Sequence, residues 1–177
     1  MKRTVEQKKK DAAAPKKLKG DVVTLRGSLD GSKMKIGIVT ARFNSDVTSK
    51  LEAGALRVLS RLGVPASAIR IASVPGAVEI TTTARALLKS GCDAVIALGC
   101  VIRGETTHYE SVIHAVDTGC THLQLETGKP VVFGVLTTEN LEQAIDRIGG
   151  HHGHKGEEAA EVAVEMVNLL KLIARSK

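Results

Sequence analysis

The chain has 177 residues, enough for one domain with a substantial hydrophobic core. Only 2% of the residues are aromatic and tryptophan is absent, so aliphatic side chains and alanine must supply that core. The net charge of +6 lies entirely in residues 1–20, which hold eight of the 25 basic side chains but only two of the 19 acidic ones. Residues 21–177 carry equal numbers of basic and acidic side chains, which argues against nucleic acid as the main ligand.

Residues 1–20 have the composition of a disordered tail, because they contain lysine runs and too little apolar area to form a core. Such a tail can contact nucleic acid or another acidic surface, and it can equally be a solubilising leader. We therefore divide the chain into a lysine-rich tail at 1–20 and a folded domain at 21–177.

Predicted strands and helices alternate along the domain. Val22–Leu25 is expected to add a strand at a sheet edge. Four apolar segments of strand length follow, each succeeded by helical periodicity. The predicted strands are Lys35–Thr40, Ile69–Val74, Asp93–Val101 and Pro130–Leu136. The predicted helices are Val47–Leu62, Ala77–Lys89, Thr107–Leu123, Glu139–Ile148 and Glu157–Ala174, with glycines and histidines interrupting the chain over 149–156.

This alternation predicts an α/β fold. Strands joined through helices make right-handed crossovers, and these produce a parallel sheet covered by helices on both faces. The continuous apolar run Ala94–Leu98 fits such a doubly covered strand. The expected architecture is a three-layer αβα sandwich around a four-stranded parallel sheet.

Residues suited to ligand binding follow each predicted strand. The first strand ends in Ala41–Asn44, the second in Pro75–Glu79, the third in Gly99–Glu110 and the fourth in Thr137–Thr138. Because parallel strands place their carboxyl ends at one edge of a sheet, we expect these four loops to converge on one site.

The third loop combines a phosphate-type turn with a proton-transferring side chain. Thr106 or Thr107 can cap a helix whose first-turn amides favour phosphate. His108 follows at once, where an imidazole can move protons beside a bound anion. The alternative is a capped helix with one solvated histidine.

The first two loops offer further binding groups. Phe43 can stack on a planar heterocycle, or it can cap the core. Gly76 and Ala77 allow the backbone to approach a ligand closely. Glu79 can accept hydrogen bonds from hydroxyl groups, or it can simply complement a helix dipole.

Six motifs together resemble the lumazine synthase family of riboflavin biosynthesis. Each motif alone is a weak signal, but all six occur in the family's order from about Asp21 to the C-terminus. The resemblance implies the flavodoxin-like form of the predicted sandwich. The motifs are Ala41–Asn44, Val74–Ile80, Gly99–Glu110, Phe133–Thr137, Glu142–Ala144 with Arg147, and His154–Ala160.

The resemblance implies a transferase that condenses 5-amino-6-(ribitylamino)uracil with 3,4-dihydroxy-2-butanone 4-phosphate, releasing phosphate and water without a cofactor or a metal. The implied catalytic residues are His108, a proton shuttle, and Arg147, whose fixed fork suits phosphate, although Arg147 could instead form a surface salt bridge. The implied phosphate loop is Gly104, Glu105, Thr106 and Thr107. The implied substrate-binding residues are Phe43, Asn44, Gly76, Ala77, Val78, Glu79, Cys100, Val101, Ile102, Phe133, Lys155 and Glu158.

The resemblance also implies assembly into homopentamers that share each site between subunits. In the family, the residues matching Phe133, Lys155 and Glu158 lie across a subunit boundary from those matching Phe43 and His108. Many members form a hollow icosahedral shell of twelve pentamers, and residues 149–156, which match the shell determinant, carry no obvious insertion. Riboflavin synthase is a further implied partner.

Three residues depart from the family pattern. Val78, Thr81 and His154 stand where an aromatic residue, a proline and an asparagine are usual. None removes an implied catalytic group, so they affect substrate affinity and packing more than reaction type. His151, His152 and His154 could also suggest a metal site, but their spacing gives poor ligand geometry and no fourth partner.

Cysteine usage and hydropathy indicate a cytoplasmic protein with no membrane partner. Cys92, Cys100 and Cys120 are scattered and odd in number, as is typical of reduced thiols. No apolar run approaches the length of a bilayer span, and the chain does not open with a secretory signal pattern.

Three rival functions come from other classes. A flavodoxin-like module that binds a flavin or pteridine would share the sheet and phosphate loop but would not need His108 together with Arg147. An inactive shell-forming homologue would keep the fold without needing the intact site residues. A nucleic-acid binder acting through the tail predicts salt-sensitive binding that is lost when residues 1–20 are deleted.

Overall fold

The computed structural model describes residues 22–175. The predicted tail at residues 1–20 lies outside this range. The main strands are β1 (Ile36–Ala41), β2 (Ile69–Val74), β3 (Ala94–Ile102) and β4 (Val131–Thr138). The helices are α1 (Ser45–Arg61), α2 (Ile80–Lys89), α3 (His108–Thr127), α4 (Leu141–Asp146) and α5 (Lys155–Arg175), with a 3-10 turn at Ala66–Ala68. A short hairpin comprises β5 (Ile148–Gly150) and β6 (Gly153–His154).

The four main strands form a parallel sheet in the order β2-β1-β3-β4. β2 pairs with one side of β1 and β3 with the other. The direction in which strands are added to the sheet therefore reverses between β1 and β3. Ligands of open α/β sheets bind above the carboxyl ends of the strands at such a switch point. The sheet therefore positions the loops after β1 and β3 side by side.

Helices cover both faces of the sheet and bury a separate core on each. On one face, Leu51 of α1 and Ala160 of α5 pack with Ile38. On the other face, Val116 of α3 packs with Val39. All five side chains are fully buried, and each large aliphatic one contributes roughly 1.5–3 kcal/mol to folding. The predicted three-layer αβα sandwich is confirmed.

The segment Val22–Leu25 differs from the expectation, because it forms no strand with the rest of the described chain. The residues after it instead run against α5. The side chain of Arg26 lies 3.3 Å from Glu165, and the Asn168 amide donates to the Ser28 carbonyl at 2.8 Å.

The turns beside two helices also differ from the expectation. Ala77–Glu79 precede α2 rather than belonging to it. The predicted helix over 139–148 shortens to α4, and the glycine–histidine interruption folds as the β5–β6 hairpin. Gly149 (φ 121°) and Gly153 (φ 75°) supply the left-handed conformations that this hairpin uses.

Within residues 22–175, none of the helices combines the length and the hydropathy that crossing a bilayer requires.

Candidate active site

A cavity of about 400 Å³ opens at the carboxyl ends of β1, β2 and β3, above the switch point of the sheet. We name it the rim cavity. Most of the predicted substrate-binding residues and His108 line it together. Its lining residues are Ala41, Phe43, Gly76, Ala77, Val78, Glu79, Cys100, Val101, Ile102, Gly104, Thr106, His108, Tyr109 and Val112.

The loop after β1 presents an aromatic ring to the rim cavity. Phe43 is 70% exposed, so it does not serve as a cap over the core. Its backbone amide donates to the Pro75 carbonyl at 3.2 Å, which ties this loop to the one after β2. A ring held at the mouth of a cavity offers one face for stacking.

Asn44 fixes the backbone beside that ring. It adopts the left-handed conformation (φ 58°), which asparagine tolerates better than most residues. Its side-chain Nδ2 donates to the Cys100 carbonyl at 2.9 Å, joining the β1 loop to the end of β3. Asn44 thus lies beside the residues that line the rim cavity rather than among them.

Glu79 has its carboxylate oriented by the backbone. Its Oε2 accepts a hydrogen bond from the Gly76 amide at 2.8 Å. A Cβ at position 76 would lie 3.1 Å from this same oxygen, so glycine permits the approach. Glu79 therefore offers the rim cavity an anionic acceptor for hydroxyl groups.

The β3–α3 loop is open and ends at a helix N-terminus. A Cβ at Gly104 would meet nothing within 4 Å. The His108 amide makes a long contact of 3.4 Å to Thr106 Oγ1, whereas Thr107, the N-cap residue, makes no side-chain capping bond. Glu105 and Thr107 belong to the loop without lining the rim cavity. The loop amides and the helix dipole favour an anion beside the His108 ring.

Cys100 forms part of the cavity wall at the end of β3. Burial raises the pKa of its thiol to about 11. The thiol is therefore neutral at physiological pH, which makes it unsuited to act as a nucleophile.

The remaining predicted site residues line a second groove, of about 570 Å³, along the edge strand β4. We name it the edge groove. Its predicted members are Phe133, Arg147, Lys155 and Glu158, and none of them lines the rim cavity.

The prediction that all four loops converge on one site is wrong for the fourth loop, which follows β4. Thr137 and Thr138 line the edge groove, not the rim cavity. The physical reason is the strand order: β4 flanks β3 on the side away from β1 and β2, whose loops complete the rim cavity.

The β5–β6 hairpin brings two cations of the edge groove together. The Lys155 amide donates to the Arg147 carbonyl at 2.8 Å. The Arg147 guanidinium lies 2.6 Å from Asp146, and Lys155 Nζ lies 2.6 Å from Glu158. The groove thus presents two adjacent cations, each oriented by a neighbouring carboxylate, to an incoming anion.

The histidines of this hairpin have structural contacts. The His152 ring and the His151 amide bond to Asp146, and these hydrogen bonds lower the pKa of the Asp146 carboxyl. The His154 ring packs against the α-carbon of Gly54. Among residues 22–175, no group of three histidine, cysteine or acidic side chains is placed to hold a metal ion.

Tyr109 and Val112 line the rim cavity and Arg103 lies over the Tyr109 ring, although the sequence does not identify these three as site residues. Tyr109 is the only tyrosine of the chain, and its rarity was the available signal. Val112 follows His108 by four residues, the spacing that places two side chains on one face of a helix. Nothing in the local sequence indicates the partners of Arg103.

Comparison with known proteins gives two findings. The family model described as 6,7-dimethyl-8-ribityllumazine synthase matches residues 33–171. The 6,7-dimethyl-8-ribityllumazine synthase of Bdellovibrio bacteriovorus is 54% identical over 141 residues, which cover 80% of this chain and 78% of that relative.

Proposed function

The chain belongs to the 6,7-dimethyl-8-ribityllumazine synthase family, and from this premise we propose how its residues perform the reaction. The activity is that of a transferase of riboflavin biosynthesis. It condenses 5-amino-6-(ribitylamino)uracil with 3,4-dihydroxy-2-butanone 4-phosphate to give 6,7-dimethyl-8-ribityllumazine, phosphate and water. The assignments of individual residues that follow are proposals.

The rim cavity binds the pyrimidine substrate. Phe43 stacks on the pyrimidine ring, a role supported by its 70% exposure at the cavity mouth. Glu79 accepts hydrogen bonds from the ribityl hydroxyls, while Gly76, Ala77 and Val78 contact the same chain. The ends of β3 at Cys100, Val101 and Ile102 form the wall behind the ring, and Asn44 holds that wall against the Phe43 loop.

The phosphorylated substrate binds at the β3–α3 loop. Gly104, Glu105, Thr106 and Thr107 surround the phosphate, which lies at the N-terminus of α3. Arg147 neutralises the phosphate through its planar fork. This arrangement holds the ketone carbon of the substrate next to the pyrimidine's amino group.

His108 transfers protons during the condensation. The amino nitrogen attacks the ketone carbon, and the carbonyl oxygen needs protons to leave as water. Elimination of phosphate needs a proton to be removed from the neighbouring carbon. The resulting enol becomes a ketone at that carbon, and the ribitylamino nitrogen attacks it to close the ring with loss of a second water. An imidazole beside the phosphate can give and take these protons, and such general acid–base catalysis contributes about a hundredfold to ten-thousandfold. The observation that carries this proposal is the presence of His108, Phe43 and Glu79 in one cavity.

The complete site requires a second copy of the chain. Arg147 and Phe133 lie in the edge groove, whereas His108 and Phe43 lie in the rim cavity. We propose that the edge groove of one subunit closes over the rim cavity of the next, with Lys155 and Glu158 among the groups added. Phe133 is 39% exposed and Val162 44%, which suits burial by such a partner.

Several wider features follow from the family resemblance and belong to this proposal. They are a homopentamer, its assembly into an icosahedral shell and association with riboflavin synthase. A cytoplasmic location is supported by Cys92, Cys100 and Cys120, which are buried and free of disulfides.

The test mixes the purified protein with both substrates and follows the fluorescent lumazine product against the uncatalysed reaction. The wild-type chain should accelerate product formation. His108→Ala and Phe43→Ala should reduce the rate, whereas Arg61→Ala should not, because it removes an exposed ion pair to Glu161 and neither residue lines the rim cavity or the edge groove. Full activity in the His108 and Phe43 variants would contradict the assigned roles.

A further inference from the structure

Arg103 directly follows β3 and joins three parts of the structure. Its backbone amide donates to the Thr138 carbonyl at 2.9 Å, and its Nε lies 2.8 Å from Glu139. Its other guanidinium edge hydrogen-bonds to Glu110 in the first turn of α3. The guanidinium also lies over the Tyr109 ring, 4.2 Å from its centroid. Arg103 thus ties the end of β3 to α3 and to the turn after β4.

These contacts already engage two guanidinium nitrogens of Arg103, Nη1 and Nε. Its charged edges already face two carboxylates, and Arg103 is not among the residues that line the rim cavity. The hydrogen bond from Arg103 lowers the pKa of the Glu110 carboxyl, so this pair stays ionised at neutral pH. Without Arg103, two uncompensated carboxylates would flank a loop that binds an anion.

The neighbours of Arg103 are the groups that surround the reaction. His108 immediately precedes Tyr109 and Glu110, the two α3 residues that Arg103 contacts. The open loop 104–107 begins at Arg103 and ends at His108, so Arg103 and α3 hold its two ends. Tyr109 itself lines the rim cavity.

We propose that Arg103 is a positioning residue, which sets the geometry of the phosphate-binding loop and of His108 through its ties to Glu110, Tyr109 and Glu139. The inference rests on the proposed function of that loop. It predicts a defect directed at the phosphorylated substrate, because the pyrimidine ring is bound by the other loops of the rim cavity.

The experiment compares Arg103→Ala and Arg103→Lys with Arg85→Ala, a matched control that removes an exposed ion pair to Glu126. Both KM values, kcat and the melting temperature are measured. Arg103→Ala should raise the KM for the phosphorylated substrate and lower kcat, together on the order of tenfold to a hundredfold, and leave the KM for the pyrimidine nearly unchanged. Arg103→Lys should restore only part of this, because an ammonium cannot span both carboxylates. Arg85→Ala should match wild type.

A second variant separates positioning from general destabilisation. The combined Glu110→Gln and Glu139→Gln chain keeps Arg103 but weakens both ties, so it should show the same substrate-selective defect. Adding Arg103→Ala to it should then have little further effect, because coupled residues are not additive. Wild-type kinetics in Arg103→Ala, full rescue by lysine, equal effects on both substrates or additive effects would each overturn the inference. An inactive wild-type chain would instead refute the proposed function itself.

Discussion

Removing the Arg147 guanidinium should weaken binding of the phosphorylated substrate more than binding of the pyrimidine. A charge-assisted contact of this kind contributes about 2–4 kcal/mol, which corresponds to a loss in kcat/KM on the order of thirtyfold to several hundredfold. Two observations favour the lower end of this range. The Arg147 side chain is 30% exposed and therefore partly screened, and it must loosen its 2.6 Å contact with Asp146 to engage a phosphate fully.

The assay follows product fluorescence at varied concentrations of each substrate in turn. Arg147→Ala should raise the KM for the phosphorylated substrate. Arg147→Lys should recover part of the affinity, because lysine keeps the positive charge but lacks the planar guanidinium that binds phosphate through two hydrogen bonds. Inorganic phosphate should inhibit the wild-type enzyme by competing with this substrate, and Arg147→Ala should weaken that inhibition. Arg61→Ala, an exposed ion-pair variant on α1, is the control.

Two results would refute this reasoning. The first is an equal rise in both KM values, which would indicate that Arg147 acts on the whole site rather than on the phosphate. The second is inhibition by inorganic phosphate that Arg147→Ala leaves unchanged.

Three other measurements test the stacking, the buried thiol and the helix packing. Phe43→Ala should raise the KM for the pyrimidine substrate roughly twofold to thirteenfold, from about 0.5–1.5 kcal/mol of stacking, while Phe43→Tyr stays near wild type. An unchanged KM in Phe43→Ala would count against stacking. Cys100, with a pKa of about 11, should react slowly with iodoacetamide at pH 8 until urea unfolds the protein, and rapid native labelling would contradict its burial. Gly156→Ala should lower the free energy of unfolding by about 1–3 kcal/mol, because the added Cβ would collide with the Leu51 carbonyl. Gly104→Ala is the control, because open space surrounds that position. Equal urea midpoints for the two variants would contradict this packing.

The fold could be predicted because its signals are local. Ile69–Val74 is predicted with the bounds observed, since Pro65 and Pro75 flank an apolar run of strand length. The observed α2 begins three residues after the predicted start at Ala77, because the turn before it depends on a bond from the Gly76 amide to the Glu79 side chain. The predicted strand at Val22–Leu25 rests on propensity alone, whereas a strand also needs an available neighbour.

The site could be predicted only in part, since its geometry depends on contacts between distant segments. The carboxyl-end rule brings Phe43 and His108 together without any knowledge of the strand order. Arg147 is separate from that cavity because β4, which precedes it, flanks β3 on the side away from β1 and β2, and the loop motifs do not encode this order. Likewise, Arg103 meets Glu139 only after β3 and β4 pair, so no spacing rule along the chain could identify that contact.

The most direct test of the shared site is complementation between two inactive variants. His108→Ala and Arg147→Ala chains are co-expressed, the mixed assembly is purified and its rate of product formation is compared with that of each variant alone. If each site takes His108 from one copy and Arg147 from the next, an equal and random mixture should regain about a quarter of the wild-type activity, because both halves are intact at about one site in four. Activity no higher than that of the separate variants would contradict a site shared between copies.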